Sequence, residues 1–171
     1  MEINNIQIRL NSIYPKIKGA NNNPQTVGIL KDLLSSHDGE LVGIMQYIYQ
    51  SRLASKVESE VSQLLEEIAV VEMEHMELLM DAIIAFGGTP KYDNSRGQMF
   101  NAGYINYTDK LKSMLEANIA GEERAIADYS RAQKMVENQS LKDLLNRIIE
   151  DEKLHLNAFK TIYKTVKFLS I

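Results

Sequence analysis

The stretches Glu72-Met73-Glu74-His75 and Glu152-Lys153-Leu154-His155 decide how this chain folds. Each sets a glutamate one helical turn before a histidine. Side chains three apart on a helix share a face, so each carboxylate and imidazole can reach one point in a bundle interior. One Glu-x-x-His is an ordinary exposed pair, but here each copy has an upstream glutamate at a matched distance. Glu40 precedes Glu72 by 32 residues and Glu122 precedes Glu152 by 30. This is metal-ligand spacing, written twice.

The flanking sequence supplies the helices that the spacing needs. A short helix opens near Thr26 with Val27, Leu30, Leu33 and Leu34 in phase, and His37-Asp38-Gly39 interrupts it. A longer stripe of Leu41, Ile44, Met45, Ile48 and Leu53 follows. A second long helix is expected from about Ser59 to Phe86, ended by Gly87-Gly88-Thr89-Pro90. Lys91 to Tyr107 has no sustained period and reads as a crossover. Thr108 is placed to cap a third helix from Asp109 to about Glu137, and Ser140 to open a fourth that reaches about Lys167. An ion touching four helices must lie at one height on each, so the turns must bisect the spacings. With turns near Val57 and Asn138 the arms are 17 and 15 residues, and 16 and 14. Two residues of mismatch amount to only about 3 Å of rise. The expected fold is an all-α antiparallel four-helix bundle with one long crossover between the second and third helices.

Length and composition agree with that layout. The 171 residues, 44% hydrophobic and 25% charged, suit one helical domain over 26–171. Residues 1–25, Asn-rich and holding Pro15 and Pro24, read as an irregular N-terminal leader. The net charge of −4 is mild and Lys and Arg are scattered, so neither nucleic acid nor a membrane is an expected partner. No signal-like or membrane-length apolar run occurs, which points to the cytoplasm. With no cysteine, any metal must be held by oxygen and nitrogen.

Among the glutamates of the third helix, Glu122 lies on the apolar stripe of Leu111, Leu115, Ala125 or Ile126, and Tyr129, while Glu116 and Glu123 lie off it. A buried carboxylate demands a compensating charge. Two divalent ions among Glu40, Glu72, Glu122 and Glu152 close the arithmetic, with His75 and His155 as neutral nitrogen donors. Glu72 and Glu152 would then bridge, Glu40 with His75 completing one shell and Glu122 with His155 the other. The donor set suits two iron or two manganese ions. Tyr47 and Tyr129 each follow a ligand glutamate by seven residues, which makes them the candidate catalytic side chains. His37 reads as a surface residue, and Asp151, Glu150, Glu123 and Glu74 as solvated charges.

A glutamate from each of two helices plus Glu-x-x-His from two others resembles the ligand set of the ferritin-like di-metal carboxylate superfamily. Glu40-Leu41-Val42-Gly43-Ile44-Met45-Gln46-Tyr47 resembles the first-helix motif of bacterioferritins, and Glu72-Met73-Glu74-His75 their second. Ala120-Gly121-Glu122-Glu123 is similar to the third helix of rubrerythrins, and Asp38-Gly39-Glu40-Leu41 to manganese catalases and spore-coat relatives. Ala125 stands where rubrerythrins carry a further glutamate, and only residues 156–171 follow His155, where cage-forming ferritins add a helix. The resemblance implies an oxidoreductase acting on hydrogen peroxide or dioxygen, served by an unidentified electron donor; a homodimer is expected because bundles with long exposed faces commonly pair. A ferroxidase or iron store of the bacterioferritin type, and a coat or scaffold protein with a structural di-metal site, are the alternatives.

Overall fold

The computed structural model describes residues 6–166, among which five α-helices form a ferritin-like bundle without strands. They are α1 (Pro24–Ser35), α2 (Glu40–Ala54), α3 (Ser59–Ala85), α4 (Leu111–Met135) and α5 (Gln139–Thr165). Short turns fold α2 onto α3 and α4 onto α5, so each pair is antiparallel and packs chiefly on its own partner. The first leg of the bundle is α1 and α2 together. α1 packs against the far end of α3 through Leu30, Leu33 and Leu34, in the same apolar cluster as Leu79, Ile83 and Phe86.

The interruption in that leg positions the site. Gly39 caps α2, and a Cβ there would lie 2.6 Å from the Leu33 carbonyl oxygen, so only glycine lets the start of α2 sit against the last turn of α1. Glu40 therefore occupies the first turn of a helix yet stands midway along the leg. α3 ends in a Schellman motif: Gly87 takes φ 83°, Gly88 N–H reaches the Ile83 carbonyl at 2.8 Å, and Gly87 N–H the Ile84 carbonyl at 2.9 Å.

Two apolar clusters fill the bundle. One holds Leu30, Leu34, Leu79, Ile83, Leu141 and Leu145, and the other Leu64, Leu65, Ile68, Leu115, Phe159 and Ile162. Glu40, Glu72, His75, Glu122, Glu152 and His155 are all buried as well. The core is thus apolar at both ends with an ionisable layer between.

Residues 86–110 cross from the α3 end to the α4 start along α1 and α2. Lys31 pairs with Asp93 at 2.6 Å, Asp32 accepts from Ser95 N–H at 2.8 Å, and Asn106 N–H reaches Gln46 at 2.8 Å. A single 3₁₀ turn, Ala102–Tyr104, interrupts the segment. Residues 6–23 carry no helix and lie across α5, where Ser140 Oγ accepts from Lys18 N–H at 2.8 Å.

Helix starts differ from the expectation. α4 begins at Leu111 behind Lys110, not at Asp109 behind a Thr108 cap, because Asn106 Oδ1 accepts Thr108 N–H at 3.0 Å and closes a local turn first. α5 is capped by Asn138, whose Oδ1 accepts Leu141 N–H at 3.0 Å, and Ser140 is already inside the helix. The expected end near Lys167 lies outside the described residues. No helix among the described residues is long and apolar enough to cross a membrane.

Candidate metal centre

The six side chains picked out by spacing converge. Glu40, Glu72, His75 and Glu152 bring one donor atom each within 4.8 Å of one another, and so do Glu72, Glu122, Glu152 and His155. The groups share Glu72 and Glu152, one from α3 and one from α5. His75 Nδ1 lies 3.2 Å from Glu72, 3.1 Å from Glu152 and 3.9 Å from Glu40. His155 Nδ1 lies 3.0 Å from Glu72 and 3.4 Å from Glu152. The two imidazole rings sit 6.0 Å apart.

So many ionisable groups, removed from water, distort one another. Burial, then the charges of Glu72 and Glu152, pushes Glu40 well above the usual carboxylate range, and burial, then Glu152 and Glu72, does the same to Glu122. Burial also works to raise Glu72, but the His155 charge and hydrogen bonding to both histidines outweigh it and hold that carboxyl far below its ordinary value. His75, which burial would lower, is pushed well above its ordinary value by Asp151, Glu152 and Glu72. Glu40 and Glu122 are thus shifted toward their neutral forms and both histidines toward their charged ones, and among the described residues none of the four carboxylates pairs with a Lys or Arg.

Whether the cluster fits a cation is tested by the orphaned polar atoms. His155 is fully buried; its Nε2 has no hydrogen-bond partner, and its Nδ1 faces only the carboxylates of Glu72 and Glu152. A buried imidazole left so is costly unless its lone pair has a Lewis acid to meet. Carboxylate oxygens with imidazole nitrogens, and no thiolate, match a dinuclear manganese or iron centre.

The two tyrosines are crossed. Tyr47 of α2 donates a hydrogen bond to Glu122 of α4, and Tyr129 of α4 donates one to Glu40 of α2. Spacing places each phenol near the glutamate of its own helix, but the bundle hands it to the opposite one. Burial, followed by the charge of Glu122 for Tyr47 and of Glu40 for Tyr129, raises both phenols well above their usual range, so both remain proton donors. Both also line a cavity of about 400 Å³ that runs from the four glutamates, past Gly43 and Gly121, to a mouth at His37, Asp38 and Arg124. His37 is exposed there, with Nδ1 3.3 Å from Asp38, and Arg124 holds Asp38 at 2.8 Å.

Asp151 corrects the sequence reading. Expected in solvent, it is fully buried, and its Oδ2 lies 3.3 Å from His75 Nε2. It also receives Leu10 N–H at 2.8 Å and the Tyr14 hydroxyl at 2.7 Å, with Arg147 Nη1 2.6 Å from Oδ1. Burial would raise this carboxyl, but His75, Arg147, Leu10 and Tyr14 lower it to about 2. The one signal in the sequence was adjacency: Asp151 directly precedes Glu152, and on a helix that turns it about 100° away, toward the neighbouring α3. Glu116 lies off the centre, half exposed, and accepts from the Tyr163 hydroxyl at 2.8 Å.

Four helices converging six buried donors on a shared pair of carboxylates define a ferritin-like di-metal bundle. The chain belongs to the Rubrerythrin family, whose model matches residues 31–163. It is 24% identical to a probable manganese catalase of Clostridium acetobutylicum, over 89% of this chain and 76% of that one. The crystal structure of KatB, a manganese catalase from Anabaena PCC7120, superposes with a TM-score of 0.83 at 23% identity, covering 95% of this chain and 82% of KatB. A bacterioferritin of Desulfovibrio desulfuricans superposes at 0.73 with 24% identity, over 85% of this chain and 81% of its own.

Proposed function

We propose that this chain is a dinuclear manganese or iron oxidoreductase that consumes hydrogen peroxide, with the manganese catalases as its functional relatives. The observation that carries the reading is the pair of four-residue groups that share Glu72 and Glu152. Glu40 and His75 would hold one ion and Glu122 and His155 the other, with Glu72 and Glu152 offering donors to both. A bound pair of manganese or iron ions supplies the two-electron couple that peroxide chemistry requires.

The chain's own residues prepare that chemistry. The cavity admits a molecule the size of peroxide to the face of the cluster formed by Glu40 and Glu122. Tyr47 and Tyr129 line the approach with their hydroxyl protons retained, and their hydrogen bonds hold Glu122 and Glu40 in place. They are the catalytic candidates because they face the space where peroxide binds. The apolar clusters on either side keep bulk water from the other faces. Disproportionation balances without an outside reductant: one peroxide takes up two electrons and two protons to give two waters, and a second releases the same to give dioxygen. An electron donor is required only for the peroxidase variant, in which no dioxygen forms. The setting we propose is the cytoplasm, with the chain a homodimer, residues 26–171 the catalytic domain, and neither nucleic acid nor membrane involved.

The test is to load metal-free protein separately with manganese and iron and follow peroxide loss and dioxygen release together. Consumption by at least one form is expected, with one dioxygen for every two peroxides if the reaction is of the catalase type. Inertness of both forms, with the metals bound, would overturn the proposal.

A further inference from the structure

The ligand set is duplicated, but its support is not. Asp151, the residue before the α5 glutamate, meets the histidine of α3, with Oδ2 3.3 Å from His75 Nε2. Its counterpart, one residue before the α3 glutamate, is Val71, which is buried and offers no acceptor, and His155 Nε2 makes no hydrogen bond. Asp151 is in turn held by the N-terminal segment. Leu10 N–H and the Tyr14 hydroxyl donate to its two oxygens. Arg147, paired with Asp151, donates to the Leu10 carbonyl at 2.8 Å and the Ser12 carbonyl at 3.2 Å. Tyr14 is wedged among these groups, its ring 4.4 Å from the Arg147 guanidinium and edge-on to His75 at 6.0 Å.

An anionic acceptor at Nε2 keeps a proton on that nitrogen, so Nδ1, which faces Glu72 and Glu152, is the nitrogen that would meet an ion. The ring cannot turn without breaking the contact to Asp151. His155 has no such anchor, so both its tautomer and its ring orientation must be chosen when an ion binds. From these facts we propose that the segment around Leu10–Tyr14, acting through Asp151, makes the two metal positions unequal, so that the His75 position fills first and more tightly. Tyr14 and Asp151 are positioning residues for that position. The inference rests on the dinuclear reading above.

The experiment is calorimetric titration of the full-length metal-free protein with manganese(II) alone, with a competing chelator to resolve tight binding. The wild type is expected to bind two ions in two separable steps. Asp151→Asn should weaken the first step by about 10- to 100-fold, the range found when the carboxylate behind a ligating histidine is lost, and leave the second nearly unchanged. Tyr14→Phe, which removes one hydroxyl and keeps the ring, should weaken the same step by a smaller factor while the metal-free protein still unfolds in one cooperative transition. Arg9→Ala, which deletes the half-exposed ion pair with Glu74 and a loose contact 5.9 Å from the Tyr14 ring centre but leaves the Tyr14 hydroxyl on Asp151, should move neither step. Two equal steps in the wild type, or two steps that both variants leave where they were, would overturn the inference and spare the dinuclear reading. Failure of the folded wild type to bind any ion would overturn both.

Discussion

The His75 side of the centre and the His155 side use the same residue types at the same spacing, and they are built differently. Behind His75 stand Asp151, then Arg147 and Tyr14, then the backbone of Leu10 and Ser12, a chain of polar contacts reaching the surface. Behind His155 the ring is fully buried and its Nε2 meets no hydrogen-bond partner. A repeat in the ligands therefore does not imply a repeat in the surroundings, and the surroundings decide how firmly a ligand is held.

Loss of a shared carboxylate erases the comparison altogether. Glu72→Ala or Glu152→Ala should leave neither ion bound after gel filtration and reduce peroxide consumption to the background rate, as metal analysis beside an oxygen electrode will show. Removing the metals should also change how stability responds to pH. In metal-free protein Glu40 and Glu122, held protonated by burial first and by neighbouring glutamates second, favour folding while they keep their protons. That contribution is lost as pH rises above the ordinary carboxylate range through their elevated folded values. Thermal melts of chelated protein should therefore decline toward alkaline pH, while those of loaded protein stay flat there.

Replacing one histidine at a time sharpens the contrast. His75→Ala and His155→Ala should each cost one ion, but His75→Ala also strips a partner from buried Asp151. It should be the less stable by about 1–3 kcal/mol in denaturant melts of the metal-free proteins. The tyrosines sort by side in the opposite sense to their helices. Tyr129→Phe frees Glu40 on the His75 side and Tyr47→Phe frees Glu122 on the His155 side. Each should keep both ions and slow peroxide turnover by about 10-fold, the scale of one charge-assisted hydrogen bond. The smallest effect belongs to Glu116→Ala, whose exposed pairings lie outside both sides. Metal content and activity should be unchanged, with stability within about 0.5 kcal/mol.

Much of this was legible without coordinates, because helical periodicity is local. The stripes around Leu41 and Leu111, the stop at Gly87-Gly88 and the equal arms around Val57 and Asn138 follow from the rise and turn of an α-helix, and together they bring six donors to one height. Helix starts were less legible, since Thr108, Asn106, Ser140 and Asn138 are all competent caps and only neighbouring hydrogen bonds choose among them. Asp151 was misread for a related reason: an aspartate beside a ligand glutamate has no periodic signature that separates a buried orienter from a solvated charge.

By itself the sequence determined the helices, their order and the two-fold ligand pattern, all properties of residues within about one helix of each other. Only the tertiary structure decided that the tyrosines cross to opposite glutamates, that a cavity opens at Arg124, and that Tyr14 reaches Asp151 across 137 residues. Those contacts arise where an aperiodic segment or a facing helix meets the bundle. Their geometry is set by packing, and no spacing along the chain encodes it.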